Sequence, residues 1–415
     1  MPPQTQSRPD RRTGDPVWTP ILTALRASAL DCLQTSFALL ADHAHGTGSH
    51  LALGARVEFR TRERAGLPTV EATPDDRAAE AVGLLGLRVE GRWTQLDGPR
   101  VRRLFATGQP LYVIADANDL PWCPYQGHEH MRHSFLATDA GSGAVTVVDA
   151  YHNDTAWGPA RPGVWRLPVD EFDTALAGGA HTLAITAGPA PILDVPEMLA
   201  SNAERARQSR PAVAGHLTSL TESLTTVDGL HRFVLDVWLL GRARQLHEHW
   251  LESVRPEAAA ALAGQAQRWQ QLSARSYVAL RRAQTGRPAS PELADALGAL
   301  VDEYLSAVEA IGATTAASDD EPRTADGSRT GDGPVQAAVL GALRDTLHLD
   351  EDRLRPTDVL RDLPGFDSFR LVDVIDRVER RLGVEVPATA LSAADLRDVG
   401  SLCAMFADAS RTGGA

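Results

Sequence analysis

The stretch 313–333, ATTAASDDEPRTADGSRTGDG, constrains this chain more than any other, because it holds no large apolar side chain. Such a segment buries too little surface to offset the entropy of ordering it, so it reads as a flexible linker. Whatever lies on either side must then fold by itself. As a random coil its ends average about 25 Å apart, which makes it a tether and not a brace. At 415 residues the chain also exceeds what one core usually serves, which predicts two or three domains.

Composition removes several classes of function. A formal charge of −13 lacks the basic surface needed to displace counterions from nucleic acid. No apolar run approaches the length of a membrane span. The start, MPPQTQSRPDRRTGDP, has arginines but no apolar segment behind them, so residues 1–16 read as a disordered leader. Three cysteines cannot build a disulfide framework, which points to a reducing, cytoplasmic setting. All 41 basic residues are arginine. Without lysine there is no Schiff base to pyridoxal phosphate, no P-loop lysine and no lysine-dependent acid activation by ATP.

Residues 17–190 mix helix and strand signals, with strand-like runs at 110–117, 133–138, 144–151 and 181–187. From 191 to 312 the strand signals stop and 3.6-period apolar positions take over, with Pro211, Pro256 and Pro288 as breaks. This predicts a helical subdomain in which Trp238, Trp250 and Trp269 form core or pocket wall. His247 and His249 fall on different sides of a helix and read as surface residues.

After the linker, residues 334–411 read as a helix, a long loop, a second helix, a shorter helical piece and a last helix. In RDLPGFDSFRLVD, Asp367 is a plausible N-cap that leaves Ser368 in the first turn of a helix. A hydroxyl there lies in the positive field of the helix terminus, where a phosphodiester is stabilised. The segment resembles an acyl or peptidyl carrier protein: Asp367-Ser368-Phe369 stands where that family has its Asp-Ser-Leu attachment site, and Val386-Pro387 matches its Ile-Pro step. The resemblance implies an all-α four-helix bundle whose Ser368 bears a 4′-phosphopantetheine arm. It also implies a phosphopantetheinyl transferase and an acyl-activating or loading enzyme as partners. Arg370, Arg377, Arg380 and Arg381 interrupt the acids that usually line this helix.

A thioester carrier needs a receiver. In LDCLQTSFALLADHAHG, a helix beginning at Cys32 with Asp31 as N-cap would bury Leu33, Phe37, Leu40 and Ala41. A cysteine in a first helical turn is expected to have a lowered pKa. HSFLATDAGSGAVTVVDAYHND reads as two strands joined by a Gly/Ser turn. Pairing Thr138 with Ala144 would bring His133 directly across from Asp149, on one face. Cysteine, histidine and acid in that chain order match the arrangement of papain-like enzymes. Cys123 is a rival nucleophile in a Pro-flanked loop, and Cys403 belongs to the last carrier helix. His128, His130 and His133 could instead hold a metal, but nothing at a recognised spacing completes a set, and no metal is expected.

These stretches, with the arginine- and tryptophan-bearing helical half behind them, resemble the butirosin biosynthesis protein H family over about 17–311. The resemblance implies an α+β fold: a papain-like domain at 17–190, a helical subdomain at 191–312, and a carrier across the linker. It implies an acyltransferase of antibiotic-type biosynthesis that moves an acyl or aminoacyl group from a phosphopantetheine thioester to a small-molecule amine, forming an amide. Cys32 would be nucleophile, His133 general base and Asp149 its orienter. No glutamine precedes Cys32 at the usual oxyanion position; Thr23, Arg26 and Gln34 are what the chain offers, beside the Cys32 backbone N–H. The same residues would equally serve a thioesterase, in which water replaces the amine. A non-catalytic scaffold presenting the carrier is the third reading.

Overall fold

Asp31 explains why the first major helix starts where it does. Its carboxylate accepts the N–H groups of Leu33 and Gln34, both at 2.9 Å, while Gln34 Oε1 accepts the Asp31 N–H at 3.2 Å. This reciprocal cap satisfies three backbone donors before helix α1 (Gln34–His45). Cys32 therefore stands in the turn ahead of the helix and not in its first turn. Gly46 ends the helix at φ +96°, a backbone shape that glycine adopts without strain. Every residue from Gln34 to Asp42 is buried, so α1 is a central helix covered on all sides and not an amphipathic one.

In this computed structural model the described residues are 13–141, 143–286, 292–318, 333–347, 349, 354–356, 358–360, 363, 368–384 and 398–412. The chain forms two compact units, Met1–Asp320 and Glu321–Ala415. The first is mixed α/β. Its six-stranded antiparallel sheet comprises β1 (Leu87–Leu96), β2 (Leu111–Asp116), β3 (Arg132–Asp139), β4 (Ala144–Asp149), β5 (Gly163–Pro168) and β6 (Ala180–Ala187), in the order β1-β6-β2-β3-β4-β5. The four strands legible in the sequence are the inner ones; β1 and β5 close the two edges.

Alternation along β2 and β3 splits two cores. Tyr112, Ile114 and Leu136 join the core that contains α1, while Leu111, Val113, Phe135 and Ala137 join the core on the other face. Phe37 of α1 stacks on Tyr112 with ring centroids 4.4 Å apart. Cys32 packs against both cores, at the place where they meet.

Helix α2 (Pro74–Leu85) precedes the sheet, and a helical half follows it with α3 (Val195–Ser223), α4 (Val227–Val254), α5 (Gln265–Ala283) and α6 (Glu292–Ser318). Their core also takes in Ala55, Val57 and Phe59, so the two halves share one unit. Pro211 does not break α3. Its ring is exposed, and Arg210 beside it anchors the helix to Ser306 and Glu309 of α6. The segment expected as linker from 313 is helical through Ser318, since alanine-rich sequence extends a helix readily without apolar bulk. Residues 319–332 lie outside the described ones.

The second unit is helical, with α7 (Gly333–Leu347), α8 (Ser368–Leu382) and α9 (Val399–Thr412) around Val339, Leu343, Val374, Val378, Leu402 and Phe406. The shorter helical piece expected before α9 falls outside the described residues. Among the described residues no helix is long and apolar enough to cross a membrane.

Candidate active site

The β3–β4 register differs from the expected one by two residues: Thr138 pairs with Thr146, and Leu136 with Val148. A one-residue slip would have put His133 and Asp149 on opposite faces, whereas a shift of two preserves the face. Continuing that register puts Asp149 opposite Phe135, diagonal to His133. The diagonal still closes. His133 Nε2 and Asp149 Oδ2 are 2.7 Å apart.

Asp149 is held from three sides. Trp122 Nε1 donates to the same Oδ2 at 2.9 Å, and the Tyr151 N–H donates to Oδ1 at 2.9 Å. A carboxylate so fixed takes the His133 Nε2–H and leaves Nδ1 as the free lone pair. His133 is 0% exposed, and its Nδ1 has no hydrogen-bond partner among the described residues. Tyr151 meets the imidazole edge-on, with ring centroids 5.1 Å apart.

Cys32 is pinned to both neighbours of that histidine. Its Sγ donates to the Arg132 carbonyl at 3.5 Å, and its own carbonyl accepts the Ser134 hydroxyl at 2.5 Å. Thr35 Oγ1 donates to the same carbonyl at 3.1 Å. Cys32 is thus hydrogen-bonded to the residues on either side of His133, at the start of β3. Cys32 keeps partial exposure, while Asp149 is 5% exposed.

The expected thiolate is not what this environment favours. Surrounding protein bulk first, then the charges of Asp31, Asp149 and Glu71, push the Cys32 thiol well above the ordinary value. Position explains the difference: Cys32 precedes the helix, and carboxylates flank it. Such surroundings disfavour a charged sulfur.

Gln34 is not available as an oxyanion donor, because Oε1 serves the Asp31 N–H and Nε2 donates to Glu80 at 3.2 Å. Thr23 Oγ1 donates to the Thr19 carbonyl in its own helix, and the Arg26 N–H donates to His50 Nε2. The Cys32 N–H has no hydrogen-bond partner among the described residues and stays free to meet an oxyanion.

The rival residues go elsewhere. Cys123 is 2% exposed inside the core beneath the sheet. Cys403 lies in the carrier core, its thiol pushed up to about 11 by burial and by Asp398. Of the three histidines once open to a metal, His128 stacks on Trp157 at 5.4 Å and His130 Nδ1 bonds Asp116 at 2.7 Å, so they diverge from His133. Among the described residues no group of three or more metal-ligating side chains is assembled. His247 is not a surface residue: it is 2% exposed, its Nδ1 bonded to the Gly54 carbonyl at 2.7 Å.

Sequence reasoning missed part of the wall. Tyr125 and Tyr151 hydroxyls lie 3.4 Å apart, Asn153 Nδ2 donates to Tyr125, and Trp238 Nε1 donates to Asn153 Oδ1 at 3.3 Å. Asn153 stands in the hairpin stretch already singled out, but only contact reveals what it holds. Trp250 and Trp269 are core, each 2% exposed.

In the second unit, Ser368 is the first residue of the 15-residue helix α8. Asp367, its expected cap, lies outside the described residues. A serine opening a helix is a backbone setting suited to a phosphodiester. Residues 337–406, which include Ser368, match the family described as phosphopantetheine attachment site. No curated protein matches the chain. The C-terminal part of this chain is a carrier domain that takes 4′-phosphopantetheine and so belongs to carrier-bound acyl chemistry.

Proposed function

We propose that the first unit is a papain-like acyltransferase in which Cys32 receives an acyl or aminoacyl group from a carrier thioester and passes it to an amine. One observation carries this reading: a buried His133 whose Nε2 is committed to Asp149 and whose Nδ1 is unpartnered, with a partly buried Cys32 hydrogen-bonded to the residue on either side of it. The prosthetic arm, attached through Ser368, supplies a flexible thiol that presents the acyl group as a thioester.

His133 Nδ1 takes the proton of the Cys32 thiol, and the sulfur attacks the donor carbonyl. Asp149 stabilises the imidazolium and keeps the ring from turning. The Cys32 N–H meets the oxyanion. His133 would return the proton to the departing thiol, leaving the acyl group on Cys32. An incoming amine then attacks that thioester, gives its proton to His133, and the cysteine departs as a thiol. The product is an amide. A tethered donor on the same chain would act at an effective concentration in the millimolar range.

The test is intact mass spectrometry after loading the arm with a defined acyl group. An acyl increment should appear on Cys32 and move to a supplied amine. Cys32→Ala should remove that increment while the one on Ser368 persists. Acylation of the alanine variant elsewhere in the first unit sinks the proposal; free acid released equally with and without amines makes the enzyme a hydrolase.

A further inference from the structure

Arg242 reaches the candidate site from the middle of α4, far along the chain from Cys32, His133 and Asp149. Its Nη1 donates to the Leu30 carbonyl at 2.5 Å and to the Ala27 carbonyl at 3.1 Å. Its Nη2 donates to the His152 carbonyl. One guanidinium thus ties the segment leading into Cys32 to the segment leaving Asp149. Its plane lies over Trp238, with the guanidinium carbon 4.0 Å from the ring centroid, and 6.0 Å from that of Tyr151.

No carboxylate lies within ion-pairing distance of Arg242 among the described residues. Arg77, Arg102, Arg210 and Arg268 each hold an acid. Arg242 spends its donors on carbonyls and leaves its positive charge uncompensated beside a cluster of Cys32, Tyr125, Tyr151 and Asp31. Burial lowers the guanidinium from its ordinary value, and those four groups oppose that shift. An unpaired cation so placed lowers the cost of any negative charge formed at the sulfur.

We propose that Arg242 is a positioning residue for Cys32: it clamps the Ala27–Leu30 approach that aims the thiol and its free N–H, and its charge favours the thiolate. The groups facing the sulfur sort by sign. Asp31, Asp149 and Glu71 oppose ionisation, and Arg77 is spent on Asp31 and Glu80. Tyr112, Tyr125 and Tyr151, their hydroxyls pushed up by burial, are neutral near pH 7, Cys123 brings no positive charge, and His133 is the base of the proposed reaction. Arg242 is the cation left to offset the acids.

The inference deepens the proposed reaction and rests on it, but its test does not. Alkylation of Cys32 by iodoacetamide, followed by peptide mass spectrometry from pH 5 to 11, reads the thiol directly, with or without acyl transfer. Arg242→Met should move the alkylation midpoint up by about one pH unit, about tenfold slower alkylation at a fixed pH below it. Arg242→Lys, which keeps the charge and loses the fork, should keep the midpoint near that of the natural protein while lowering the melting temperature. Should the methionine variant not fold, Arg242→Gln takes its place, being neutral, polar and shorter. A neutral variant that melts normally and keeps the original midpoint overturns the proposal, and so does a lysine variant whose midpoint moves as far as the neutral one. Absence of acyl-Cys32 in the natural protein would instead remove the acyltransferase reading and leave the charge assignment standing.

Discussion

Ser368 and Cys32 each stand at the start of a helix, yet the chain specifies them in different ways. Ser368 opens α8 within a segment whose spacing and apolar pattern are those of one small bundle, and everything that marks it lies between 337 and 406. Cys32 is marked nearby only by the Asp31 cap. Its meaning comes from Arg132, His133 and Ser134 of β3, from Asp149 at the end of β4, and from Arg242 of α4. A carrier serine must be recognised by other enzymes on a helix surface, which a local motif can supply. A nucleophile of the kind proposed for Cys32 must be surrounded, and surrounding is a property of the fold.

The comparison breaks most sharply at the histidine. His133→Ala should slow acylation of Cys32 by about a thousandfold, the usual scale for losing a general base, while arm loading at Ser368 is unchanged. Stopped mass spectrometry of both sites on one sample checks it. Equal loss at both sites would mean that the two functions are not separable in the way described.

Packing sharpens it next. A Cβ on Gly54 would lie 2.3 Å from the backbone oxygen of Leu246 in α4, and backbone cannot yield as a side-chain tip can. Gly54→Ala should therefore destabilise the first unit by about 3 kcal/mol, at the upper end for overpacking, and leave the carrier's unfolding transition where it was. Calorimetry or trypsin sensitivity of the two units reads this. Coincident shifts of both would show that they unfold together.

The smallest effect is pH. Burial lowers His247 to about 4, with Arg244 adding to the shift and the Gly54 hydrogen bond opposing it. The unfolded chain has the ordinary value near 6.5, so His247 gains protons there first as the medium acidifies. Its contribution is whole above about pH 6.5 and falls by about 1.4 kcal/mol per unit as pH drops toward 4. The first unit should lose stability over that window, and His247→Gln, able to keep a bond to Gly54, should flatten the loss. An unchanged slope in the glutamine variant assigns the acid sensitivity elsewhere.

How far the sequence could be read follows from range. Asp31 as a cap was legible because capping acts over three residues. The β3–β4 hairpin was legible because its turn is local, but the register was off by two, since GSG permits more than one loop closure. Face parity survived that error, and His133 met Asp149 anyway. The helix starts two residues later than the spacing predicts, and the shift at Cys32 has the opposite sign, because the burial that chiefly raises it, and the approach of Asp149 and Glu71, arise only on folding. Pro211 was read as a break because its helix is held by α6, a partner nearly a hundred residues on. His247 was read as surface for the same reason.

By itself the sequence determined that the chain divides, that its tail is a carrier for 4′-phosphopantetheine, and which cysteine, histidine and acid were worth watching. Those are facts of composition, spacing and period, and they act within one or two turns of chain. Only the tertiary structure decided that the surroundings disfavour a charged sulfur, that Gln34 is already occupied, and that an arginine from the helical half reaches the candidate site. Electrostatics and hydrogen bonding are set by what lies within a few ångströms in space, and in this unit those neighbours come from segments as much as 200 residues apart.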